Sequence, residues 1–155
     1  MHDSLVVFIG IDPGKSGAIA VMTDTNISVV TNDKIDALNI LKQLDKSMRC
    51  FAILEQVHSF PGQGVSSTFS LGDSFGYMRG VLEALEIPYQ LAAPQKWKRV
   101  FGLSQDKQQS IDVCKRLFPH VNLLATERSR KPHDGIAEAV LLAEYARRVH
   151  SGKVK

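Results

Sequence analysis

Cysteine is scarce in this chain, with only Cys50 and Cys114 among 155 residues. Two cysteines at no metal-ligand spacing exclude a disulfide-stapled secreted scaffold and a thiolate metal centre. They are expected in a reducing, cytosol-like compartment. Long apolar runs are missing as well: no stretch approaches the roughly 20 residues that a membrane-spanning helix needs. The N-terminus has neither a basic start nor a signal-peptide cleavage site. Aromatics make up 7% of the chain and include one tryptophan, Trp97. No internal repeat or domain-sized linker appears, so residues 1–155 are expected to form one domain. The net charge is only +3, which by itself describes an ordinary solvated surface. Its basic residues cluster, however, at Lys96-Trp97-Lys98-Arg99, at Lys115-Arg116 and from Arg128 to Lys131. Basic clusters beside an acidic site suit a polyanionic substrate.

What the chain does contain is a set of well-placed acids. The apolar run from Val6 to Ile11 stops on Asp12, turns through Pro13 and Gly14, and resumes towards Val21. Continuous apolar, β-branched runs read as strands buried on both faces. An ionised Asp ending such a strand is costly unless something neutralises it. Glu55 ends the run from Phe51 to Leu54 in the same way. Asp134 and Glu138 stand four apart at the start of a helical pattern, about 5–6 Å from each other at Cβ. Each acid also has an ordinary reading. Asp12 suits a turn, Glu55 a solvated strand end, Asp134 a helix cap and Glu138 a helix surface. The combination favours a divalent-metal site, because like charges converging this closely repel. Two Mg²⁺ ions about 3.5–4 Å apart need shared oxygen ligands, and such a pair hydrolyses phosphodiesters.

The periodicity predicts strands over residues 5–11 and 17–22 as a hairpin, a third from Ile27 to Thr31, a fourth from Phe51 to Val57 and a fifth from Ile87 to Ala92. Asp33 caps a predicted helix running to Asp45, with Ile35, Leu38, Leu41 and Leu44 inward. Further helices are expected from about Ser66 to Leu85, from Gln105 or Asp106 to Phe118, and from about Asp134 to Val149. His58 to Gly64 reads as a loop, and Val121 to Pro132 as a polar, basic connection. The fold class is therefore α/β, with a mixed five-stranded sheet flanked by helices.

The order of these motifs resembles the RuvC-like Holliday junction resolvases of the RNase H-like fold, over nearly the whole chain. Ile9-Gly10-Ile11-Asp12-Pro13-Gly14 with Ser16-Gly17 is similar to the family's first motif, Glu55-Gln56-Val57 to the second, and Asp134-Gly135-Ile136-Ala137-Glu138-Ala139 to the last. Pro61-Gly62-Gln63-Gly64 and Pro94-Gln95-Lys96-Trp97-Lys98 resemble segments of the phage and organellar branch. The resemblance implies a crossover junction endodeoxyribonuclease acting on four-way DNA junctions in recombination or repair. It further implies catalysis by Asp12, Glu55, Asp134, Glu138 and Lys107. The four acids would hold Mg²⁺ or Mn²⁺, two ions per site. A bacterial or phage-infected cytoplasm, or an organellar matrix, is the implied setting. There is one departure: bacterial members space the last pair three apart and end on Asp. Spacings of three and four present the same helix face. Whether His133 or Asp134 is the inner ligand stays open. Other readings are a nuclease for RNA–DNA hybrids or flaps, and a junction-binding protein without turnover.

Lys15, Phe60, Lys98, Lys107, Arg130 and Lys131 are the expected DNA contacts. Phe60, in the loop after Glu55, either wedges into an opened base step or staples its loop to the core. Core packing is expected of Trp97. Gly72, Gly76 and Gly80 form a stripe on the long helix, although glycine costs a helix roughly 1 kcal/mol relative to Ala. That stripe implies a close approach to the sheet or to a second subunit. Phe69, Phe75, Met78, Val81, Leu82 and Leu85 exceed one core face. A homodimer is therefore expected, with Met78 and Leu82 in its interface.

Overall fold

A computed structural model describes residues 5–155; residues 1–4, part of the stretch read for a leader, lie outside the described residues. The chain order is β1 (Val6–Asp12), β2 (Ala18–Met22), β3 (Ile27–Thr31), α1 (Lys34–Lys42), β4 (Arg49–Glu55), α2 (Val65–Ala84), β5 (Tyr89–Ala92), α3 (Pro94–Val100), α4 (Lys107–Leu117) and α5 (Asp134–His150). The five strands form one mixed sheet in the order β3-β2-β1-β4-β5. β1 and β2 are the expected antiparallel hairpin, and β3 continues it. β4 pairs parallel to β1, and β5 parallel to β4. The carboxyl ends of β1 and β4 therefore lie side by side, carrying Asp12 and Glu55.

Alternation along the strands divides the core between the two faces of the sheet. Val7, Ile9 and Ile11 of β1 pack with Met78, Val81 and Leu82 of α2 and with Ala37 and Leu41 of α1. Phe8, on the other face, packs with α5, Trp97 of α3, and Ile111 and Cys114 of α4. Period-two alternation in β1 thus serves two helical layers at once. Helix α5 is buried from Gly135 to Ala146, including Glu144 at 3% exposure. That carboxylate is neutralised by Arg147 at 2.7 Å and Arg148 at 2.8 Å. Such pairing is the condition for burying a charge.

Glycine fixes how closely α5 sits. A Cβ on Gly10 would lie 2.1 Å from the carbonyl oxygen of Ala139 and 2.3 Å from the amide of Ala143. The α5 backbone rests directly on β1 there, an approach no side chain permits.

Several sequence expectations change. Helix α3 was not expected; Pro94 stands in its first turn, and Lys98 and Arg99 occupy its last. Prolines suit that first turn because their missing amide would be unbonded anyway. Of the four residues expected inward on α1, Leu41 is buried and Leu38 and Leu44 pack against the core, but Ile35 is 69% exposed and Ala37 is buried in its stead. Met78 and Leu82 are core residues at 1% and 0% exposure, so they are not interface residues. The exposed apolar residues of α2 are instead Val65 and Phe69 in its first turns. Added Cβ atoms at Gly72, Gly76 and Gly80 would meet nothing within 4 Å, which rules out a close approach of this stripe to the sheet.

Candidate active site

Asp12, Glu55, Asp134 and Glu138 line one cleft of about 420 Å³ at the carboxyl ends of β1 and β4. Lys98, Lys107, Phe60, His58, Gln56 and Gln105 share its walls. Three segments remote in sequence bring the four acids together because β1 and β4 are parallel neighbours and α5 packs against both. A second glycine sets the last part of this arrangement. Gly135 would place a Cβ 1.9 Å from the carbonyl oxygen of Ser16, so α5 begins hard against the turn that follows Asp12.

Each carboxylate has a specific environment. Asp12 Oδ1 accepts the Gly14 amide at 3.2 Å, so the turn role expected of it is also present. Burial, and then the charge of Glu138, push its pKa from 3.8 up to about 6, against the opposing pull of the Gly14 amide and Lys98. Glu55 accepts a hydrogen bond from Trp97 Nε1 at 2.7 Å. Burial and the charge of Asp12 raise its pKa from 4.5 to about 7, although the Trp97 bond favours the ionised form. Glu138 is only 8% exposed, not a surface position. Its Oε1 lies 2.9 Å from Lys98 Nζ and accepts Ser110 Oγ at 3.2 Å. Asp134 is the first residue of α5 rather than its cap; His133 holds the cap, its Nδ1 accepting the Ile136 amide at 3.3 Å. Asp134 Oδ2 pairs with Lys107 Nζ at 3.0 Å, which raises the lysine's pKa.

As the side chains lie, no group of three His, Cys, Asp or Glu among the described residues is arranged to hold a metal ion. Two of the four acids are instead engaged by lysine ammonium groups. The donor set nevertheless fits a hard cation, since all four ligating groups are carboxylates. Burial first, and the surplus of negative charge in the cleft second, draw Asp12 and Glu55 towards their neutral forms. A divalent ion would reverse that balance if Glu138 and Asp134 exchanged their lysine contacts for it.

The remaining expected residues are placed as follows. Phe60 is 70% exposed, so it does not staple its loop to the core. Lys15 lines an adjoining hollow with Gln63, Ser66, Ser67 and Ser70, which meets the main cleft at Leu71. Arg130 and Lys131 are exposed on the connection to α5 and do not line the cleft. Trp97 is in the core as expected, at 0% exposure, but its bond to Glu55 was not foreseen. Ser110 was also missed; a serine inside a helical pattern carries no signal of its own. Cys50 and Cys114 are both free thiols, and burial pushes that of Cys114 up to about 12.

RuvC from T. thermophilus in complex with Holliday junction substrate superposes with a TM-score of 0.60 at 13% identity, over 98% of each chain. A second Thermus thermophilus RuvC structure gives 0.61 at 13% identity, over 97% of this chain and 98% of that one. The yeast mitochondrial Holliday junction resolvase Ydc2 aligns at 0.46 and 14% identity, over 96% of this chain and 79% of that one. No protein-family model matches the chain, and no curated protein matches it by sequence. The chain has the fold of RuvC, which is the RNase H-like fold that the motif order implied.

Proposed function

We propose that this protein is a divalent-metal-dependent endonuclease that resolves four-way DNA junctions. The observation that carries the reading is the convergence of Asp12, Glu55, Asp134 and Glu138 on one cleft, with Lys98 and Lys107 in contact with two of them. That the superposed T. thermophilus RuvC is bound to Holliday junction substrate supports the choice of branched DNA. Asp12, Glu55, Asp134 and Glu138 would hold the ions. Mg²⁺ or Mn²⁺ bound there, two per site, would polarise the scissile phosphate and activate the attacking water.

The chain's own groups account for the rest. Lys98 and Lys107 lie at the cleft wall, within reach of a phosphate once their carboxylate partners turn to metal. Lys15, Arg130 and Lys131 extend the basic surface beyond the cleft, and binding should weaken as salt rises. Phe60 stands exposed at the cleft mouth, where it can stack on an unpaired base. Two symmetric cuts require two cleft-bearing chains, and a two-fold homodimer places them. The exposed Val65 and Phe69 with the open glycine stripe of α2 form the surface for it.

The test compares nicking of a four-way junction, a linear duplex and an RNA–DNA hybrid in Mg²⁺, for the wild type and for Asp12→Asn, Glu55→Gln and Glu138→Gln. Junction cleavage by the wild type and background activity from all three folded variants are expected. Cleavage of the hybrid in preference to the junction would reassign the substrate. Near-normal nicking by Asp12→Asn would remove the metal site.

A further inference from the structure

Resting on that reading, we infer that Trp97 is a positioning residue for the metal site: its indole N–H holds the Glu55 carboxylate in the orientation that accepts a cation. The bond from Nε1 to Oε2 is 2.7 Å long, and Trp97 is fully buried at 0% exposure. A buried indole N–H needs an acceptor, and here the acceptor is a cleft carboxylate rather than a backbone carbonyl. The bond engages one carboxylate oxygen and leaves the second for a ligand.

The ring itself cannot swing. It is enclosed by the α5 face of the core and meets Phe101 edge-on with centroids 6.3 Å apart. Glu55 ends a strand and has three side-chain torsions, so without this anchor its carboxylate samples several orientations. Helix α3 also aims the next residue, Lys98, at Glu138. One short helix therefore sets two acids of the cleft through consecutive side chains. Supporting groups of this kind, one bond away from a ligand, commonly change metal affinity 10- to 100-fold, to order of magnitude.

Trp97 is the only tryptophan of the chain, so its emission reports the surroundings of this one ring, the Glu55 bond and the Lys98 ammonium 5.4 Å from the ring centroid included. In the wild-type protein, Mg²⁺ or Mn²⁺ should change Trp97 fluorescence with the midpoint seen for junction cleavage. Glu55→Gln keeps an oxygen acceptor for the indole and should lose the metal response without unfolding. Trp97→Phe keeps an aromatic ring but removes the N–H. It should raise the Mg²⁺ concentration needed for half-maximal thermal stabilisation, and for half-maximal cleavage, by about tenfold, equivalent to about 1.4 kcal/mol. Cleavage should recover largely at saturating Mg²⁺. Phe101→Leu loosens the same helix without touching Glu55, and should lower the melting temperature while leaving the metal midpoint unchanged.

An unchanged metal midpoint in Trp97→Phe would overturn the positioning role. Equal shifts in Trp97→Phe and Phe101→Leu would also overturn it, in favour of general loosening of α3. A wild-type protein with no fluorescence or thermal response to either metal would instead bring down the metal-site reading itself. If Trp97→Phe does not fold, the fluorescence midpoint and the Glu55→Gln comparison still decide: a metal response retained in Glu55→Gln overturns the inference.

Discussion

Lys98 and Glu138 are joined by a 2.9 Å ion pair in which the glutamate side chain is 10% exposed and the lysine side chain 23%. An ion pair this enclosed is costly to break from one side, because the abandoned charge stays buried. Lys98→Ala should therefore destabilise the metal-free protein, by about 1–3 kcal/mol for a buried group left unsatisfied. Mg²⁺ should restore most of that loss by taking the lysine's place beside Glu138. Thermal melts with chelator and with Mg²⁺ measure both effects. An identical deficit in the two conditions would leave the lysine as a structural partner only.

The pH dependence of stability follows from Asp12 and Glu55. Both have folded-state pKa values above their ordinary ones, about 6 against 3.8 and about 7 against 4.5. A raised folded pKa means that protons bind the native state more tightly than the unfolded one. The stability they contribute is fully present below about pH 4 and is lost as pH rises through 6 to 7. The melting temperature of the metal-free protein should thus fall between pH 5 and pH 8. Asp12→Asn and Glu55→Gln should each flatten the fall, and Mg²⁺ should flatten it in the wild type. Melts across that range with chelator measure it, and a rise in melting temperature over the same window would contradict the sign.

Gly10 and Gly135 matter through contact rather than chemistry. Gly10→Ala puts a methyl group 2.1 Å from the Ala139 carbonyl oxygen, against backbone that cannot turn aside. Overpacking of this sort costs about 1–3 kcal/mol and sometimes more. It should also push α5 off β1 and so move Glu138 from Asp12. Cleavage should then drop further than the fraction of folded protein does, as denaturant melts and activity on one preparation can show. Activity in proportion to folded fraction would limit Gly10 to a stability role.

Much of this site was legible because charge stands out against a buried strand. Asp12 and Glu55 each terminate an apolar run, and Asp134 and Glu138 share one face of a helix whose neighbouring Ile136, Ala137, Val140 and Leu141 mark it as packed on the protein. The order of these segments carried the fold as well. What could not be read were contacts made by neutral atoms between distant segments. Nothing in Pro94 to Val100 marks Trp97 as a partner of Glu55, since the N-cap of α3, Ala93, makes no side-chain hydrogen bond and the helix spans seven residues. Helix α2 misled for a different reason. Its apolar residues are not one surplus face: Met78, Val81 and Leu82 fill the core from its last turns, while Val65 and Phe69 are exposed in its first. Hydrophobicity alone does not separate the two ends of a helix that leaves the sheet partway.

Phe60 is 70% exposed at the mouth of the cleft, so removing its ring should leave the melting temperature within about 1–2 °C of wild type; exposed substitutions usually change stability by no more than about 0.5 kcal/mol. Base–aromatic stacking contributes roughly 1–3 kcal/mol per base. Phe60→Ala should consequently lower junction cleavage about tenfold with little change in Mg²⁺ dependence. Cleavage at the wild-type rate would make the ring a bystander.

The dimer is tested on the exposed part of α2, because charges at Met78 or Leu82 would only unfold the core. Phe69 is 77% exposed and Val65 88%. An added side chain at Gly76 meets nothing within 4 Å in the single chain. Phe69→Glu and Gly76→Glu should therefore leave a folded monomer intact while blocking a second copy. Sedimentation should show a dimer for the wild type and monomers for both variants. Each monomer keeps its own carboxylate cleft, so single nicks at a junction should persist while paired, near-simultaneous cuts disappear. Charged residues at both positions that leave a dimer making paired cuts would move the interface to another face of the molecule.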